Sequence, residues 1–91
     1  MELGSIFLNF LERAVDDPVI GPSHISLFAA LLYMYDRQDG KLPISAFSRD
    51  LKKQAKISNR TYHACINDLR KGGYIKYIPS YNPFLGSLIY L

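Results

Sequence analysis

Residues 56–91, KISNRTYHACINDLRKGGYIKYIPSYNPFLGSLIYL, decide how this chain is read. Ser58 stands where a helix N-cap belongs, because its hydroxyl oxygen can take a first-turn amide proton that would otherwise go unpaired. A helix over Asn59–Lys71 then buries Tyr62, Cys65 or Ile66, and Leu69 at three- and four-residue spacing. Gly72 and Gly73 end it, since glycine accepts the left-handed backbone of a helix terminus. YIKYIP and SLIYL are rich in aromatic and β-branched residues and read as two strands around the loop SYNPFLG. Pro79 and Pro83 interrupt ladder pairing and so set the ends of that hairpin. Tyr74, Ile75, Tyr77, Leu88 and Ile89 are expected to fill or edge the core.

Upstream of this stretch, Ser45 is the expected cap of a short helix over 46–54 that buries Phe47 and Leu51, and AKIS makes the turn into the next helix. A longer helix runs from a Ser23 cap to about Arg37 and stops at QDG. It is apolar on two sides, with Ile25, Phe28, Ala29, Leu32 and Tyr33 on one stripe and Leu27, Leu31 and Met34 on another, which places it in the middle of the fold. Leu3, Ile6, Phe7, Phe10, Leu11 and Ala14 mark a first amphipathic helix within 1–16 that stops before Asp17-Pro18. The expected order is four helices and then two strands: a mainly α chain with a C-terminal β-hairpin, of α+β class. The regions are 1–16, 23–37, 45–71 and 74–91, in a single domain, because 91 residues cannot supply two cores.

Composition narrows the partners. Hydrophobic residues make up 48% of the chain, enough for a packed core. One cysteine, Cys65, permits neither an internal disulfide nor a cysteine zinc site, and no cofactor is expected. No apolar run is long enough to span a bilayer and no secretory leader is evident, so the expected setting is the cytoplasm, with no membrane partner. The net charge of +3 hides a division. Residues 1–39 carry two bases against six acids, a balance of −4, whereas residues 40–91 carry nine bases against Asp50 and Asp68, a balance of +7. Such one-sided positive charge suits a polyanion.

The run ISAFSRDLKKQAKISNRTYHACINDLRKGGYIKYI resembles a winged helix-turn-helix. The likeness spans residues 44–91 and rests on the spacing of Ser58, Thr61, Tyr62, Ile66, Leu69, Gly73 and Ile75. It is similar to MarR-type regulators here, and closer, through the wing text PSYNPFLGS, to small stand-alone winged-helix proteins of bacterial mobile and conjugative elements. The resemblance implies a bacterial protein that binds double-stranded DNA, with Asn59–Lys71 as the helix entering the major groove. Its role would lie in transcription regulation or in replication or transfer of a mobile element. No counterpart of the long C-terminal dimerisation helix of MarR-type proteins is seen, so their dimer geometry does not carry over.

The residues make a physical case beside that likeness. With Tyr62, Ile66 and Leu69 inward, Arg60, His63, Asn67 and Lys71 fall on one outward stripe, with Asn59 at its leading edge. Arginine matches guanine O6 and N7 with two donors and asparagine can pair with adenine, so Asn59, Arg60, His63 and Asn67 are the candidates for base readout. Lys52, Lys53, Lys56, Ser58, Thr61 and Lys71 are the candidates for phosphate contacts. Lys76, Tyr81 and Asn82 are the wing's candidates for groove or backbone contacts. Leu3, Phe7 and Phe10 either cover the second helix within the chain or form a homodimer through the N-terminal helix.

Catalysis is not expected. His63 and Cys65 are two residues apart on a helix, which turns them to different sides, and no phosphate-cradling glycine loop, HExxH or GxSxG occurs. The competing reading is a protein–protein interaction module without DNA binding, docking through the acidic N-terminal half or exposed parts of the first helix.

Overall fold

The computed structural model describes residues 2–80 and 84–91, in the order α1 (Leu3–Ala14), α2 (Pro22–Arg37), β1 (Ile44–Ala46), α3 (Ser48–Ala55), α4 (Asn59–Lys71), β2 (Lys76–Ile78) and β3 (Ser87–Tyr90). Four helices and a small antiparallel three-stranded sheet give a mainly helical α+β fold.

Helix α2 is the central element, touching α1, α3, α4 and β1. It buries Leu27, Phe28, Ala30, Leu31, Leu32 and Tyr35, while Ala29 and Tyr33, expected inside, face outward, Tyr33 being 44% exposed. From α1, Phe10 stacks face to face on Phe28 at 3.9 Å between ring centroids, and Phe7 stacks beside both. Tyr74 meets Phe10 edge-on at 5.3 Å, tying the start of the C-terminal segment to the same aromatic group. Phe7 and Phe10 therefore cover α2 within the chain, the first of the two roles open to them.

Further expectations need correction, beginning with the strands: three are present among the described residues where two were expected, β1 being the additional one. Ser23 is not the cap of α2. Gly21 holds that position and Pro22 opens the helix, where its fixed φ fits and its missing N–H leaves no extra orphan donor. The Gly21 N–H is taken by His24 Nδ1 at 3.0 Å, so the proton of that ring lies on Nε2, which donates to Asp68 Oδ2 at 2.9 Å on α4. Ser45 is not a cap either. It lies in strand β1, paired with Leu88, and α3 begins only at Ser48 behind an extended Phe47. Phe47 is not buried with Leu51. It is 37% exposed, with the Arg49 guanidinium 5.4 Å over its ring.

Strand β1 places β3 in the middle of the sheet, in the order β1-β3-β2. Ile44, Ile89 and Tyr77 line up across the three strands on the core side, and Ser45, Leu88 and Ile78 line up on the other. Gln38 closes the outer edge of β1. Its amide donates to Ser45 O at 2.7 Å and accepts from Ser45 N–H at 3.1 Å, satisfying edge groups that no strand reaches.

A pH test arises at the Asp17 and Tyr74 pair, where the Tyr74 hydroxyl donates to Asp17 Oδ2 at 2.8 Å. That bond, then the Val19 N–H and the nearby His24, hold the Asp17 carboxyl below its ordinary range against a small opposing effect of burial. A depressed carboxyl stabilises the fold above its unfolded pKa, near 3.8, and the gain is lost as pH falls through the lower folded value. Burial first, and Asp17 second, push the Tyr74 phenol up, so its share is present at neutral pH and lost as pH rises through the folded value. Tyr74→Phe should therefore melt below wild type at neutral pH, with the gap closing below about pH 4. Thermal melts from pH 2 to 8 check this, and a gap independent of pH would contradict it.

Candidate nucleic-acid interface

Helix α4 is built as its cap and its glycines require. Ser58 Oγ accepts the Thr61 N–H at 3.1 Å, and the helix buries Tyr62, Cys65, Ile66 and Leu69. At its far end Gly73 takes φ +76°, letting Gly73 N–H reach Arg70 O and Tyr74 N–H reach Leu69 O. The helix is thus held at both termini and along one face, leaving the opposite face for solvent.

That opposite face carries Arg60, His63 and Lys71, all exposed, and half-buried Asn67. Ala64, exposed, stands between Arg60 and Lys71 by helical spacing. It was not among the expected site residues, because a small apolar side chain gives no charge signal, yet it is suited to touching a thymine methyl. His63 is exposed whereas Cys65 is buried, so the two diverge as their spacing requires. Burial first, then the Asp68 charge, push the Cys65 thiol up and keep it protonated.

The asparagines are placed differently from a free stripe. Asn59 Oδ1 accepts from Lys52 Nζ at 2.9 Å, and Asn67 Oδ1 accepts from Arg70 at 2.8 Å. Pairing with adenine uses both the oxygen and the nitrogen of the amide, and the second lone pair of each oxygen lets it accept from the base beside its cation or in exchange for it. Arg70, absent from the expected set, thereby becomes part of the site. Arg60 makes no hydrogen bond or ion pair among the described residues, so its five donors are available at once.

The turn between α3 and α4 gathers the lysines. Lys53 and Lys56 are exposed and Lys52 is half-buried against Asn59. Lys56 adopts the left-handed conformation, φ 60° and ψ 46°, at the C-cap of α3, a place where glycine is less costly. The Ser58 hydroxyl donates to Thr61 Oγ1 at 3.0 Å, which leaves the Thr61 hydroxyl proton the freer of the two. The Asn59 and Arg60 amides open α4 ahead of the capped Thr61 N–H and have no intrahelical acceptor.

Both carboxylates of the basic half are already engaged. Asp68 accepts from His24 at 2.9 Å on the α2 side of α4, and Asp50 lies 3.4 Å from Arg49 Nε. The outward face of α4 thus carries bases and amides without a carboxylate of its own between them.

The hairpin borders α4 through β2. Tyr62, fully buried, brings its hydroxyl near Tyr77, but no well-formed hydrogen bond closes on it among the described residues, and the Tyr77 hydroxyl pairs with Ser87 at 2.9 Å. Burial first and Tyr77 second push the Tyr62 phenol well up. Lys76 is exposed on the outer face of the sheet, its Nζ 5.9 Å from the Tyr90 ring centroid. Tyr81 and Asn82, the remaining expected wing contacts, lie outside the described residues.

Among the described residues, no three His, Cys, Asp or Glu side chains gather where they could hold a metal ion, and no helix is long and apolar enough to cross a membrane. Comparison of the chain with family models, with curated proteins and with solved structures found no match.

Proposed function

We propose that this chain is a winged helix-turn-helix protein that binds double-stranded DNA sequence-specifically, with α3 and α4 as the helix pair and the β2 and β3 hairpin as the wing. The observation that carries this reading is the outward face of α4: Arg60, His63 and Lys71 exposed beside the lysines of the preceding turn, with Asp68 of the same helix paired to His24 of α2. A face of that composition attracts phosphate and presents donors to base edges.

In this reading α4 enters the major groove at its N-terminal end. Lys53, Lys56, Thr61 and the first two amides of α4 hold phosphates, and Arg60 and His63 reach the bases first. Lys52 and Arg70 transfer from the asparagines to the backbone as Asn59 and Asn67 turn to the bases. The wing contributes Lys76, Tyr81 and Asn82. The setting is the bacterial cytoplasm and the role is transcription control or an accessory step in replication or transfer of a mobile element. No catalytic step is assigned. A single module of this kind covers only about 600–1,000 Å² of protein surface on DNA, so tight binding calls for a second copy or a partner bound alongside.

Gel retardation of a mixed-sequence duplex at about 50 mM salt should show binding at micromolar protein or below, with a log–log salt slope of roughly −3 to −4.5 for three to five phosphates. Selection from a random-sequence duplex pool should then return a common motif. Absence of retardation would remove the proposal in favour of a protein-interaction module.

A further inference from the structure

The apolar surface of α1 extends beyond the part that covers α2. Leu11, Ala14 and Val15 form with Ile20 and Ile25 a groove of about 300 Å³ between the end of α1 and the start of α2. Beside it the large aliphatic side chains stay in solvent: Leu8 is 64% exposed, Val15 76% and Val19 54%. Leu8, Leu11 and Val15 follow at helical spacing, so they make one continuous stripe running into the groove.

The charge along that stripe has one sign. Glu12 lies four residues after Leu8 and three before Val15, hence beside both, and Asp16 follows at the end of the stripe; both are exposed. Arg13, the only cation of α1, is turned elsewhere: it donates to Gly73 O at 3.3 Å and stacks on Tyr74 with its guanidinium carbon 4.6 Å from the ring centroid. Two identical copies meeting face to face here would bring Glu12 and Asp16 of each against those of the other, which opposes self-association. An anionic lipid surface would be repelled in the same way.

We propose that the groove between α1 and α2 docks a cationic amphipathic segment of another protein, its apolar side chains on Leu11, Val15 and Ile25 and its bases on Glu12 and Asp16. The surface belongs to the acidic half of the chain and the α4 face to the basic half, so this proposal stands independently of DNA binding.

The probe is a synthetic Leu/Lys amphipathic helix of about four turns, compared with its Leu/Glu counterpart and followed by fluorescence anisotropy and amide shifts of the full chain. The Leu/Lys peptide should bind with a Kd on the order of tens of micromolar and shift the amides of 11–25, with the Leu/Glu peptide at least about tenfold weaker. Val15→Lys, and separately the pair Glu12→Lys with Asp16→Lys, should each weaken binding at least about tenfold. These side chains are exposed, so the variants should keep the wild-type melting curve.

No binding of the Leu/Lys peptide, unchanged affinity in either variant, or shifts confined to other residues would each overturn the proposal. So would a dimer of the wild-type chain in sedimentation that Val15→Lys dissociates, since the occupant would then be a second copy.

Discussion

Gly86→Ala is expected to cost about 3 kcal/mol of folding stability, the upper end of the usual range for overpacking. A Cβ at position 86 would lie 2.5 Å from the carbonyl oxygen of Ala46, 2.6 Å from its carbonyl carbon and 2.9 Å from its nitrogen. All three are backbone atoms. A side chain could swing away, but the Ala46 backbone belongs to β1, and moving it breaks the ladder that pairs Ile44 with Ile89 and Ala46 with Ser87. Gly86 does not have a left-handed backbone, so the cost comes from crowding alone.

For a domain of this length such a loss lowers the melting temperature by roughly 12–20 °C. Gly4→Ala is the matched control, because a Cβ there meets only the Glu2 carboxylate at 3.7 Å and adds helix propensity to α1. Denaturant titration of the two variants should give opposite signs. Similar small effects would mean that β1 and the start of β3 are not in backbone contact.

The second large effect is expected at Arg60. If α4 reads bases, Arg60→Ala should weaken binding to a selected cognate duplex by roughly tenfold to a hundredfold, the equivalent of about 1–3 kcal/mol, and binding to random duplex far less. Lys53→Ala should weaken both alike and flatten the salt slope by about one unit, as loss of a phosphate contact does. Both side chains are exposed, so neither change should disturb the fold. Equal losses on the two duplexes for both variants would refute base readout by Arg60.

Much of the fold is legible in the residues themselves. The α1 stripe, the bounds of α4, its Ser58 cap and its glycine terminus all follow from spacing and local backbone chemistry, and each is found in the structure. The two caps that differ share a cause. Ser23 and Ser45 are good cap residues by type, but a serine caps only if the backbone places it there. Pro22 starts α2 two residues earlier, and β3 claims Ser45 for a ladder. Phe47 becomes exposed through the same pairing, because β1 ends at Ala46 and α3 starts only at Ser48.

The candidate site divides in the same way. Which residues of α4 face outward could be read from periodicity, and Arg60 and His63 are exposed accordingly. That Lys52 donates to Asn59 and that Asp68 is drawn to His24 could not be read, whereas Arg70 with Asn67 is a local pair three residues apart on one helix. Lys52 with Asn59 and His24 with Asp68 join separate helices, and no local pattern encodes which partner arrives.

The sequence by itself determined that there are four helices, the bounds and buried face of α4 and the concentration of positive charge in the second half, because these depend on residues within a turn or two of one another. Only the tertiary structure decided β1, the central place of β3 and the pairing of Asp68 with His24 on the α2 side of α4. Each of those rests on a partner supplied from a distant part of the chain: Leu88 for Ser45, and His24 for Asp68.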